Sequence, residues 1–433
     1  MHKRLNILFS KTSDYLTLFL VFSMPLLENK LSKLIVIWIV FMLFYKFISL
    51  KYKFEFNLQL LLLPLLYVLY IIGIIWSGNK HAGFFAIEVK ASFFVFPIVI
   101  AAYVQYFKES RIKILMSFIL GCFVSSTICL FVAFYQSTTI TADGLIFNTI
   151  DPRYATWDYG GSHFRFIGLS LFLHPTYFSS YLLIAIASCV EILRRRILSN
   201  RNQNGFLRIS VLLFLIMIYL LSSKAMIICT VALVMGYAAI FFNHSHDRLT
   251  KISIVLITGL ITLIGFQNPR FKAVYELIAN PKILRSDDGD GTIVSRIHIW
   301  KSGLELIDSN FVFGVGPGDT NNELVKKYQF HGYKDPFRVN ANAHNQFLET
   351  FIDLGLVGFL LLIVILIFSL YKSITNKNIL LFIFLCISSF NFLFESMLNV
   401  REGVVFFCFF YCFFGVLDIR ELEEKSDLKP VVT

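Results

Sequence analysis

The chain alternates long apolar runs with short polar ones. Continuously apolar stretches lie near 12–27, 31–50, 57–76, 91–106, 112–136, 173–193, 207–221, 225–243, 250–266, 346–371, 379–397 and 402–418. Most reach the roughly 17–25 residues that carry an α-helix across a bilayer core. None shows the period-two alternation of a membrane β-barrel strand, and backbone polar groups in lipid must otherwise be satisfied within helices. The pattern therefore predicts an all-α polytopic membrane protein with about twelve transmembrane helices.

Composition agrees with that pattern. Of 433 residues, 57% are hydrophobic, only 15% are charged and 48 are Phe, with a mean hydropathy of +0.70. So few charged side chains cannot cover such a chain in water, which excludes an ordinary soluble domain. The first run follows "MHKR" without a small-residue cleavage site, so it reads as a retained helix. All seven Cys fall within expected spans, where a thiol behaves as a small apolar group, and neither a disulfide framework nor a metal site is expected.

Charge sets the expected orientation. The connection "RRRILSNRNQNGFLR" (194–208) holds five bases, and the bias of such segments places both termini in the cytoplasm. The net charge of +11 then matches an anionic inner leaflet, and no nucleic-acid partner is needed to explain it. Chemistry is expected in two outside loops, near 137–172 and 267–345. The expected organisation is helices over 1–266, a large periplasmic loop with short amphipathic helices over 267–345, and further helices with a cytoplasmic tail over 346–433.

In the large loop, "TIVSRIHIWKSGLELIDSN" (292–310) places Ile297, Trp300, Leu304 and Ile307 at helical spacing, predicting an amphipathic helix with those four on its apolar face. Arg296 precedes Trp300 by four residues, so its guanidinium can share a face with the indole. "FGVGPGDTNN" (313–322) reads as a turn: no strand precedes it and no Lys-Ser/Thr follows, as a phosphate cradle would require. "SDDGDGT" (286–292) lacks the full spacing of a calcium loop and reads as a solvated turn.

"VNANAHNQFLETFIDLGLVGFLLLIVILIF" (339–368) sets His344 just before a membrane-length run. On a continuous helix it would stand roughly 15 Å beyond Gly355, at about 1.5 Å per residue, near the outer boundary. The plain reading is an interfacial polar residue at a helix start capped by Asn340 or Asn342. The alternative is an imidazole able to exchange a proton near neutral pH from a fixed position. Asn345 and Glu349, at i and i+4, are the expected pair beside it. Lys224 in "LLSSKAMIICTVALV" and Arg165 and His174 in "HFRFIGLSLFLHPTYFSSYL" also face the outer boundary, where snorkelling, capping or a functional role are all open.

Together, "SSKA" (222–225), "SRIHIWKSGLELIDSNFVFGVGPGD" (295–319) and "AHNQFLETFIDLGLVGFLLL" (343–362) resemble the O-antigen ligase and polymerase family of bacterial membrane glycan transferases. The resemblance implies a GT-C-like architecture in the inner membrane, with the active face periplasmic. It implies His344 as the catalytic residue activating an acceptor hydroxyl, with Arg296 and Lys224 binding the donor diphosphate. Asn345, Trp300, Arg165 and His174 are further candidates for substrate contact. Where the family has Arg, this chain has Lys224, which keeps the charge and loses the two-pronged guanidinium.

The implied donor is an undecaprenyl-diphosphate-linked glycan, the implied acceptor lipid A-core or a growing glycan, and the expected transfer is metal-independent, with no cofactor. A polymerase joining repeat units, or a protein O-oligosaccharyltransferase, fits the same motifs. A polyisoprenoid-glycan transporter fits less well, because the span middles are nearly charge-free and no repeated halves are evident.

Overall fold

The computed structural model describes residues 2–28, 30–49, 54–55, 57–141, 144–154, 161–244, 248–267 and 292–417. Each of the twelve apolar runs contains a helix in it. Among the described residues, six helices are long and apolar enough to cross a membrane, by length and composition: Lys80–Ala102, Arg111–Ser137, Pro175–Arg194, Arg201–Leu221, Lys224–Asn243 and Gln346–Thr375. Shorter apolar helices cover Leu31–Leu43, Leu58–Gly73 and Ile379–Phe392. The acidic "SDDGDGT" stretch lies, apart from Thr292, outside the described residues.

The chain forms two compact units. The first comprises Met1–Leu20, Asn29–Ile114 and Lys282–Thr433, and the second Val21–Glu28 and Leu115–Pro281. In the first, helix Arg401–Val416 is buried almost throughout, from Gly403 to Phe414. A helix apolar on every side finds its place in a core rather than at a surface. Phe384 of Ile379–Phe392 meets the rings of Phe406, Phe407, Phe410 and Phe414 with centroids 5.7–6.2 Å apart. Asn378 accepts from Leu381 N at the helix start and donates to the carbonyls of Phe414 and Leu417, fixing the two helices end to end.

The membrane-length helix Gln346–Thr375 is not continuous, which corrects the expected uniform rise from Gly355 to His344. Gly355 has φ 64° and ψ −159°, a conformation that is essentially glycine's alone, and the helix breaks there. The groups freed by the break are taken up by "FGVGPGD" and the residues just before it: Val315 N donates to Ile352 O, Gly316 N to Asp353 O, and Leu356 N to Phe311 O. The stretch is a turn, as expected, but one that serves as the partner of a broken helix. Asp353 closes the joint by accepting from Thr320 Oγ1 at 2.6 Å and Tyr70 OH at 3.2 Å. Asp319 accepts from the backbone of Gly78 and Asn79, and Ser77 Oγ accepts from Gly318 N.

The loop helix Thr292–Ser309 forms where the sequence predicts, but its buried face is turned from the expected one. Val294, Ser295, Ile299, Ser302, Leu306 and Ile307 are buried, whereas Ile297 and Leu304 are 40% and 56% exposed. It packs with helix Thr320–His331 and the first half of Gln346–Thr375 around Leu324, Tyr328, Tyr333 and Ile352. A polar clasp joins the first two helices: Glu305 meets His331 Nε2 at 2.9 Å and Lys327 Nζ at 3.3 Å. His331, then Lys327, hold the Glu305 carboxyl below its ordinary pKa, so the clasp is complete above that value and weakens as pH falls below it.

In the second unit, helix Pro175–Arg194 is its most buried span, and Gly121 lets the Phe22 backbone approach helix Arg111–Ser137. An antiparallel hairpin, Thr138–Thr141 with Gly144–Phe147, follows that helix, a short β element that the apolar pattern does not foretell.

At Gly355 an added Cβ would meet Val312 O at 2.2 Å, as well as an unfavourable φ. Gly355→Ala is expected to destabilise the protein by roughly 3 kcal/mol or more. Gly205→Ala, where a Cβ meets nothing within 4 Å, is expected to be neutral or mildly stabilising. Thermal unfolding of the detergent-solubilised proteins checks both.

Candidate functional site

His344 stands at the joint between the loop and the broken helix. Its own φ is 41°, its N–H donates to Asn342 Oδ1 at 3.0 Å, and the next residue, Asn345, is the helix cap. Asn345 Oδ1 accepts from Phe347 N and Leu348 N at 2.9 and 3.1 Å. The cap is therefore Asn345 rather than Asn340 or Asn342. The expected Asn345–Glu349 side-chain pair gives way to two separate tasks, since Glu349 accepts from Ala343 N, Ser396 Oγ and Asn399 Nδ2. A left-handed histidine locked on both sides holds its ring in one place.

That ring faces a carboxylate the sequence reading passed over. Glu395 Oε2 lies 3.2 Å from His344 Nδ1, and its other oxygen accepts from Arg296 Nη2, also at 3.2 Å. A carboxylate only accepts, so Nδ1 carries the hydrogen and the neutral ring keeps its lone pair on Nε2. Glu395 is nearly buried, while the His344 and Arg296 side chains are about one-third exposed. The site is thus a sheltered acid with two reachable partners.

Arg296 comes from the loop helix, His344 from the helix start and Glu395 from the turn after Ile379–Phe392. The aromatic beneath the Arg296 guanidinium is Phe394, 6.0 Å from the ring centroid, and not the expected Trp300. Trp300 packs against the buried cluster around Ile299 and Tyr328, and its Nε1 is buried with no hydrogen-bond partner among the described residues. Nη2 is the one guanidinium nitrogen with a partner among the described residues, so the other donors are left for an anion. The missed signal was "FESMLN" (394–399): a lone acid at the end of an apolar run is costly there and calls for a partner.

The other expected residues belong to the second unit, where they gather at one corner. His174 caps Pro175–Arg194 by position, its ring 5.9 Å from Phe166 and 5.6 Å from Tyr177. Arg165 precedes the short turn Phe166–Gly168. Lys224 opens its helix after a left-handed Ser222, and Ser223 Oγ lies 3.3 Å from Thr176 Oγ1, which brings the two helix starts together. No group of three or more metal-binding side chains occurs among the described residues.

Comparison with protein families gives a match over residues 209–363 to the model described as O-antigen ligase. This segment is similar to the O-antigen ligase family. No curated protein matches the chain. The O-antigen ligase segment holds Lys224, Arg296, Trp300, His344, Asn345 and the Gly355 break, while Arg165, His174 and Glu395 lie outside it. With its apolar helices, the chain is a helical membrane protein that carries, over residues 209–363, a segment similar to the O-antigen ligase family.

Removing the cap tests how His344 is held. Asn345→Ala leaves two helix-start N–H groups without their acceptor and is expected to cost about 1 kcal/mol, whereas Asn345→Asp retains the stability of the parent. Thermal unfolding separates the two.

Proposed function

We propose that this protein is an O-antigen ligase-like glycosyltransferase that moves a glycan from undecaprenyl diphosphate to an acceptor sugar of lipid A-core, at the periplasmic face of the inner membrane. The observation carrying this reading is the convergence of Arg296 and His344 on one carboxylate, beside helices fit for a bilayer. Each partner supplies a different need of the reaction.

The polyprenyl tail stays in the bilayer and the diphosphate meets the free donors of Arg296, whose planar fork suits phosphate oxygens. Nε2 of His344 takes the proton from the acceptor hydroxyl, whose oxygen attacks the anomeric carbon. The glycosidic bond forms as the bond to the diphosphate oxygen breaks, and undecaprenyl diphosphate leaves. Glu395 keeps His344 in the tautomer that accepts a proton and stabilises the imidazolium that results, without taking the proton itself. The leaving diphosphate gains charge in the transition state, and a fixed guanidinium opposes it without a divalent ion. For Lys224, Arg165 and His174 the proposal is confined to their own corner, where they would meet an anionic headgroup.

His344→Ala is expected to abolish transfer with normal expression and membrane insertion, checked with donor lipid extracted from cells lacking the protein; full activity would remove His344 from the mechanism. Arg296→Lys keeps the charge but loses the fork, and a drop in transfer of about 10–100-fold is expected, corresponding to roughly 1.4–3 kcal/mol. Parent-like activity would mean that Arg296 does not touch the diphosphate. Ligation itself is read from surface glycolipids of cells lacking the protein. Polymer stranded on undecaprenyl diphosphate with bare lipid A-core supports the ligase reading, and accumulation of single repeat units overturns it in favour of a polymerase.

A further inference from the structure

Behind the His344–Glu395 pair lies a second buried carboxylate that touches neither residue's side chain. Glu349 is 3% exposed and lies one turn into the broken helix. Its Oε2 accepts from Ala343 N at 2.8 Å, the residue before His344, and from Ser396 Oγ at 3.0 Å, the residue after Glu395. Its Oε1 accepts from Asn399 Nδ2 at 2.6 Å, and Asn399 Oδ1 in turn accepts from the buried Lys90 ammonium at 3.0 Å. Three residues earlier, Gln346 Oε1 accepts from Leu398 N at 2.6 Å, so the 396–399 turn is held twice from the same helix face.

A carboxylate buried this deeply is costly unless its lone pairs are filled and a cation is near. Here the donors come from the immediate neighbours of the two residues that face each other. Nothing in the backbone alone fixes that separation, since His344 and Glu395 are 51 positions apart in sequence.

We propose that Glu349 is a positioning residue, tying the chain before His344 to the chain after Glu395 so that imidazole and carboxylate stay in hydrogen-bond register. This rests on the catalytic reading of His344 given above. Gln at 349 keeps the shape but turns one acceptor into a donor aimed at groups that already donate, so the two chain segments separate.

The test uses the full-length protein in proteoliposomes, with lipid-linked glycan and acceptor glycolipid extracted from cells lacking the protein. For Glu349→Gln, kcat is expected to fall on the order of 100-fold, as a small displacement of a reacting group can produce, with the donor KM little changed. If Glu349 acts through the pair, Glu349→Gln combined with Glu395→Gln is no slower than Glu395→Gln alone.

Parent-like kcat in Glu349→Gln, or losses that multiply in the double variant, would overturn the proposal. Should Glu349→Gln fail to fold, Ser396→Ala serves, with a smaller drop in kcat at constant KM expected and an unchanged kcat refuting the tie. Full activity in His344→Ala would remove the underlying catalytic reading, whereas an inactive His344→Ala beside a parent-like Glu349→Gln would sink the positioning role alone.

Discussion

One carboxylate, Glu395, accepts from two groups that could not otherwise share a corner. A guanidinium and an imidazole that gains a proton, as the proposed transfer requires, would repel each other, and Glu395 between them offsets that cost. It also assigns the histidine's nitrogens their tasks. The arrangement keeps Arg296 fixed by one nitrogen with its other donors unengaged among the described residues, and leaves the His344 side chain about one-third exposed.

The fold around this corner serves to hold three distant segments at fixed places. The break at Gly355, filled by the 313–319 turn, ties the loop to the helix that begins at Asn345. The packed cluster of Leu324, Tyr328 and Ile352 sets the loop helix, hence Arg296, against the same helix. Glu349 and Gln346 reach from its first turns to the segment that carries Glu395. The tie at Gly355 uses groups that a helix break leaves unsatisfied, so there the requirement that buried polar groups be paired becomes a means of building the site.

Much of this was legible in the sequence, and the illegible parts share a cause. The helices could be read because apolar runs of bilayer length leave the backbone one solution, whereas position alone left Arg296 and His344 open and the family resemblance singled them out. The face of Thr292–Ser309 could not, because Ile297 and Leu304 form one apolar stripe and Ile299, Leu306 and Ile307 another, and near a membrane an exposed stripe is as apolar as a buried one. The break at Gly355 is hidden in an uncharged run with no proline. Glu395 was missed because its partners lie 51 and 99 positions away, and local spacing says nothing about such pairs.

The most direct measurement is an electron cryomicroscopy map of the protein in lipid nanodiscs with undecaprenyl diphosphate bound. The account predicts the diphosphate against the Arg296 guanidinium, with His344 Nδ1 still on Glu395 and Nε2 facing the space beside the outer phosphate. A diphosphate seated away from Arg296, or a His344 ring turned off Glu395 in the bound state, would contradict it.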